Sequence, residues 1–212
     1  MRMMGSISLM VKKQTKKLFK KYLEDKGEKY LDPLVIVKNK KKYGKLHQLW
    51  IDFRCERMAE FYRILRKAYL SGLADRSDPM FCTGIQGRNS TPERIKASNF
   101  LDYRLLAKHC DMILIMCYTY TYIRQSAEIG DTVRLYNKHL GKKICTPALL
   151  SEYEGLEIPE DQKVMHKYQL WEALMAQSRL IEYWMSYGMY NPRNLRHIAE
   201  GIRQLSPYEN IL

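Results

Sequence analysis

The sequence predicts an α/β fold built on parallel strands, and three observations carry that expectation. Four short apolar or β-branched runs begin near residues 80, 112, 143 and 180, spaced by 32, 31 and 37 residues. Each run is followed by a segment of helical periodicity. The run from Met112 to Tyr118 is unbroken apolar sequence, as a parallel strand covered on both faces requires. Strand–helix units at this period imply parallel strands joined by right-handed crossovers.

Each element has its own warrant. Residues 11–25 read as a strongly basic helix. The β-branched run from Pro33 to Val37 reads as a short strand. From Gly44 to Ser71 the apolar positions 46, 49, 50 and 53, then 61, 64, 65 and 68, predict one long amphipathic helix, ended at Gly72. Met80 to Gly84 reads as a strand, followed by a loop holding Gly87, Asn89 and Pro92, then a helix over 98–108. After the strand 112–118 comes a helix over 124–139, closed by Gly141. A strand over 143–149 leads to a helix over 160–178 beginning after Pro159. The last strand spans 180–184, and a final helix spans 193–204 after Asn191 and Pro192.

Charge and composition narrow the function classes. The chain has 212 residues and a formal charge of +13, but the excess is local. Residues 1–45 hold 14 Lys and Arg against 4 acidic residues, while the remainder holds 22 against 19. A patch confined to one terminal region reads as the solvated face of a surface helix rather than a nucleic-acid interface. The chain therefore divides into a basic helical segment, 1–45, and a strand–helix region, 46–212. Five cysteines (55, 82, 110, 117 and 145) show no C-x-x-C pair and no close Cys/His spacing, which argues against a zinc or other metal site. Several sit in apolar runs, where a free thiol acts as a small hydrophobe. With no apolar run near the ~20 residues that span a bilayer, the expectation is a cytoplasmic protein without membrane partners. Ile7 to Val11 is too short for a signal-peptide core.

Two α/β architectures fit the alternation. A small doubly wound parallel sheet would use Pro33–Val37 as a fifth strand and bind a ligand where strand order reverses. It lacks a phosphate loop, since neither G-x-G-x-x-G nor G-x-x-x-x-G-K-[ST] occurs, and no cofactor is expected. A (β/α)8 barrel needs eight units, of which four are visible. In either, functional groups gather at strand C-termini. The second strand runs out through Tyr118 and Tyr120, the third through Ser151, Glu152, Tyr153, Glu154 and Gly155, and the fourth through Glu182 and Trp184. A carboxylate, tyrosines and a tryptophan on one rim suit a sugar ring, whose apolar face stacks on aromatic surface. The plainer readings are a solvated loop for Glu152 and core packing for Trp184.

The order of several segments resembles the later half of (β/α)8 glycoside hydrolases of the clan containing the family 42 β-galactosidases. The segments are Trp50-x-x-Phe53, Arg63-x-x-Arg66-Lys67, and Asp102-Tyr103-x-x-Leu106-Ala107-x-x-Cys110-Asp111. They continue with Glu172-Ala173-Leu174-Met175-Ala176, Ile181-Glu182-Tyr183-Trp184 and Asn194-Leu195-x-x-Ile198-Ala199. The resemblance covers Lys12 to the C-terminus and implies that the four strands correspond to barrel strands five to eight. It implies Glu152 as the nucleophile of retaining hydrolysis, with Glu154 as second choice. It assigns Tyr118 and Trp184 to substrate binding, and Glu182 lies beside them on the last strand. The family's acid/base is the Glu of an Asn-Glu pair ending strand four, and this chain contains that pair only reversed, as Glu209-Asn210. The expectation is a glycoside hydrolase-like half-barrel without its acid/base, inactive alone, with carbohydrate as ligand. Its protein partner would be a second copy or a complementing N-terminal half. The alternative is a non-catalytic carbohydrate-binding or self-associating interaction module.

Overall fold

The computed structural model describes residues 3–72, 81–86, 91–117, 123–150, 159–178, 180–184 and 192–205. The chain opens with three helices: α1 (Met3–Asp25), α2 (Pro33–Lys38) and α3 (Gly44–Ser71). Strand–helix alternation then runs through β1 (Cys82–Gln86), α4 (Pro92–Asn99), α5 (Tyr103–Leu106), β2 (Met112–Met116) and α6 (Ile123–Leu140). It ends with β3 (Cys145–Leu150), α7 (Pro159–Met175), β4 (Glu182–Trp184) and α8 (Pro192–Leu205). The α/β expectation and the four strands are thus present, each strand within two residues of its predicted start.

The strands form one parallel sheet in the order β1-β2-β3-β4. Side-chain alternation separates its two faces. Ile113, Ile115, Cys117, Cys145 and Leu149 pack with Tyr103, Leu106, Ile129, Val133, Tyr136 and Ala176 in one buried cluster. Residues from α5, α6 and the end of α7 therefore cover the same face, as right-handed crossovers in a sheet of unbroken strand order require. Gly84, Leu114, Thr146 and Ala148 alternate onto the other face.

Two sequence expectations are corrected. Pro33–Val37 is helical, not extended, so the described sheet has neither the fifth strand nor the reversal of order that a doubly wound sheet needs. Asp32 caps this helix, its side chain accepting from Leu34 N–H at 2.9 Å, and Pro33 occupies the first turn. Only Pro33 and Ile36 are buried, a helical spacing that outweighs the strand preference of Val35, Ile36 and Val37. The helix expected over 98–108 is two helices. Phe100 adopts a left-handed φ of 59° that ends α4, and Asp102 recaps the chain by accepting from Arg104 N–H at 3.0 Å. Phe100 tolerates that conformation with the Arg54 guanidinium stacked 4.4 Å from its ring centroid.

A second buried cluster joins the N-terminal helices to α3 and draws residues from both sides of residue 45. Phe19, Leu23, Ile36, Trp50 and Phe53 form it. Phe19 meets Trp50 edge-on at 4.9 Å between centroids and Phe53 at 5.3 Å. Helix α3 is tied to the sheet at its other end. Arg66 donates to Asp111 Oδ1 at 2.7 Å and to the His109 carbonyl at 3.1 Å, while Asp111 Oδ2 accepts from Phe81 N–H at 2.9 Å.

Helix α7 lies between α6 and α8, and a glycine eases each contact. A Cβ at Gly201 of α8 would come within 2.8 Å of Leu170 Cδ1, and one at Gly130 of α6 within 2.6 Å of Glu172 Oε2. Both neighbours are ends of side chains, so alanine is tolerated by rotation, whereas a β-branched residue is not.

The Arg66–Asp111 bridge yields a pH test. The Arg66 guanidinium holds the Asp111 carboxyl below its ordinary value of 3.8. The stabilisation is therefore complete above that value and is lost as pH falls through the lower, folded-state value. Both side chains are about a third exposed, so Asp111→Asn should cost about 1 kcal/mol at pH 7. Urea unfolding should show that difference at pH 7 and lose it near pH 2. An undiminished difference in acid would refute the assignment.

Candidate functional site

Parallel strands in sequence order bring all four C-terminal strand ends to one edge of the sheet, where α/β proteins place their functional groups. At that edge Glu182 and Trp184 are the first and last residues of β4, their backbones paired with Ala148 and Leu150 of β3. Glu152 stands two residues after Leu150 in the sequence. Glu152, Glu154 and Tyr118 themselves lie outside the described residues, and for Glu182 and Trp184 the placement given is that of the backbone.

A polar cavity among the described residues was not foreseen in the sequence. It holds about 330 Å³ between α1, α3, α4 and α5. Lys96 Nζ sits between two carboxylates, 2.8 Å from Asp52 Oδ1 and 3.1 Å from Asp102 Oδ2. Tyr22 donates to Glu56 Oε1 at 3.3 Å, and burial and that carboxylate push its hydroxyl up to about 12. The hydrogen bond that Lys96 donates to Asp52 leads the causes that raise its ammonium above the ordinary value. A lysine held more firmly charged is a poor nucleophile and a poor base, since either role needs the neutral amine. The same cavity exposes no thiolate, because burial first and Asp102 second push the Cys55 thiol up to about 12. The arrangement is an electrostatic clamp binding α3 to α4 and α5, with Asp102 serving both Lys96 and the start of α5. The signal for it was Asp102 before Tyr103, a capping position whose second partner, Lys96, is shared with Asp52 on a helix fifty residues earlier than Asp102.

Three further cysteines are similarly unreactive. Burial raises Cys110 to about 11, and Cys117 and Cys145 to about 12. None of the five cysteines is in a disulfide. Among the described residues no three His, Cys, Asp or Glu side chains converge to hold a metal ion, and no described helix is long and apolar enough to cross a membrane. His166 is fully buried within α7, in keeping with a packing role.

No family model, curated protein or solved structure matches this chain. What the chain is for must accordingly be argued from its own strand ends and cavities.

The thiol environments predict a reactivity pattern. Four cysteines (Cys55, Cys110, Cys117 and Cys145) are buried and shifted upward, and Cys82 is half-buried. A disulfide reagent at pH 8 should label Cys82 alone in the native protein and all five after denaturation. Rapid native labelling of Cys117 or Cys145 would contradict the packing of the central strands.

Proposed function

We propose that the chain is a carbohydrate-acting half-barrel of the retaining β-glycosidase type, with Glu152 as nucleophile and the aromatic groups Tyr118 and Trp184 framing the sugar. The observation that most favours this reading is the register of β3 with β4. Leu150 pairs with Trp184, and in the sequence Glu152 stands two residues after Leu150. An unbroken parallel order with helices on one face is also the arrangement of consecutive units in a (β/α)8 barrel.

The reaction constrains what this chain could do. In a retaining hydrolase two carboxyls stand about 5–5.5 Å apart, one attacking the anomeric carbon while the other protonates the leaving oxygen. The chain lacks the Asn-Glu pair that carries the acid in the similar enzymes. Glycosides with poor leaving groups therefore need a carboxylic acid other than the Glu of that pair. A leaving group that departs as a stable anion does not. Attack by a Glu152 oxygen on C1 of a dinitrophenyl glycoside forms the C1–O bond to the protein and expels dinitrophenolate, with no proton transferred.

That difference supplies the test. Incubation with 2,4-dinitrophenyl 2-deoxy-2-fluoro-β-galactoside, followed by peptide mass spectrometry, should find the fluorosugar on the peptide holding Glu152. Glu152→Gln should abolish it, and alkyl galactosides should not be turned over. An adduct on Glu154 would transfer the nucleophile role to that residue. A folded protein that acquires no adduct would defeat the hydrolase reading.

A second reading, a self-associating interaction module, draws on the sheet's margins. Among the described strands β1 and β4 are each paired on one side only, and unpaired strand edges recruit further strands. Light scattering should then give a mass above that of one chain, and a clean monomer at high concentration would remove this reading.

A further inference from the structure

The larger of the described cavities lies away from the strand ends, between α1, α2 and α3, and holds about 780 Å³. That is within the ~300–1,000 Å³ range of small-molecule sites. Its floor is apolar: Trp50 and Phe53 from α3, with Pro33 and Leu34 from α2 and Leu18 from α1. Leu34 is 62% exposed at the mouth, an unusual position for a leucine beside an otherwise buried aromatic cluster.

The rim is cationic. Lys13, Lys16, Arg54 and Arg57 line the cavity, and no acidic residue does. Lys16 is neutralised by Asp32, 2.5 Å away. Arg54 is held in place by two rings, 5.3 Å from the Trp50 centroid and 4.4 Å from that of Phe100. Lys13 and Arg57 are exposed. The surrounding segment carries 14 basic against 4 acidic residues, which raises the positive potential at the mouth.

We infer that this cavity binds a free amphiphile with one anionic headgroup, of the chemical class of a medium- or long-chain carboxylate. The chain or ring would lie on Trp50, Phe53 and Leu34, and the carboxylate would meet Lys13, Arg54 and Arg57. Charge complementarity selects the class. A cationic amphiphile would be repelled by the rim, and a neutral one would leave the basic groups without a partner in the site. The concave shape, closed by three helices, suits a single compact ligand better than an extended surface. This inference is independent of the glycosidase reading, because the two sites share no residue.

The test is a titration of the full chain with decanoate below its micelle concentration, followed by nitrogen-15 NMR and calorimetry. Decyltrimethylammonium and a neutral decyl glycoside serve as matched controls. Saturable binding of decanoate alone, with a shift at the Trp50 indole N–H, is expected. Lys13→Glu combined with Arg57→Glu should weaken it about tenfold or more, since each removes a charge-assisted contact. Leu34→Asp should abolish it. All three positions are exposed, and unchanged thermal unfolding would confirm that the variants fold. Raising the ionic strength should weaken binding. Equal affinity for the cationic probe, indifference to both variants, or binding to anionic phosphatidylglycerol vesicles without any to free decanoate would overturn the inference.

Discussion

The burial of β2 is the constraint on which the rest of this structure depends. Ile113 and Ile115 are fully buried, and Cys117 follows them onto the same face. Each must find apolar partners on the helix side while its backbone pairs with β1 and β3. Tyr103 and Tyr136, crossing edge-to-face at 4.9 Å, supply the largest of those partners. Because these two rings come from α5 and α6, the strand fixes the helices before and after it on one side. The direction of every later strand follows from that choice, since crossovers of one hand can only add strands in one order.

Around this core the helical N-terminal region is attached by different means at its two ends. Near the N-terminus the attachment is apolar, with Phe19 packed against both Trp50 and Phe53, which also stack on each other. Further along, polar contacts take over: Lys96 bridges Asp52 to Asp102, and Arg66 bridges α3 to the start of β2 through Asp111. These bridges are partly exposed and individually modest. Their value is positional, because each also satisfies a backbone group: Asp102 caps α5 and Asp111 receives Phe81 N–H. Asp102 thus serves two contacts close in sequence, and Asp111 two that are distant.

The two places where this chain could meet a small molecule are chemically distinct. The proposed strand-end site rests on carboxylates and aromatic residues that follow the strands in the sequence, a combination suited to neutral, hydroxylated ligands. The α1–α2–α3 cavity couples an aromatic floor to a cationic rim, a combination suited to anions with apolar bodies. The polar cavity around Lys96 resembles neither, because its charges are already matched internally.

The sequence by itself determined the strand–helix alternation, the long helix α3, and the buried strand β2. These rest on repeating patterns, such as the four apolar runs and the 3.6-residue spacing from Leu46 to Ala68, that persist whatever the partners are. Only the tertiary structure decided that Pro33–Val37 is a helix, since the Asp32 cap and the burial of Ile36 against the α3 aromatics outweigh the local strand preference. It likewise decided the break at Phe100, where Arg54 from a distant helix stabilises a backbone conformation that Phe rarely takes. The cationic cavity was hidden for the same reason. Its basic residues read as a solvated helix face until three helices folded them around Trp50 and Phe53, and proximity across fifty residues leaves no periodic trace in a sequence.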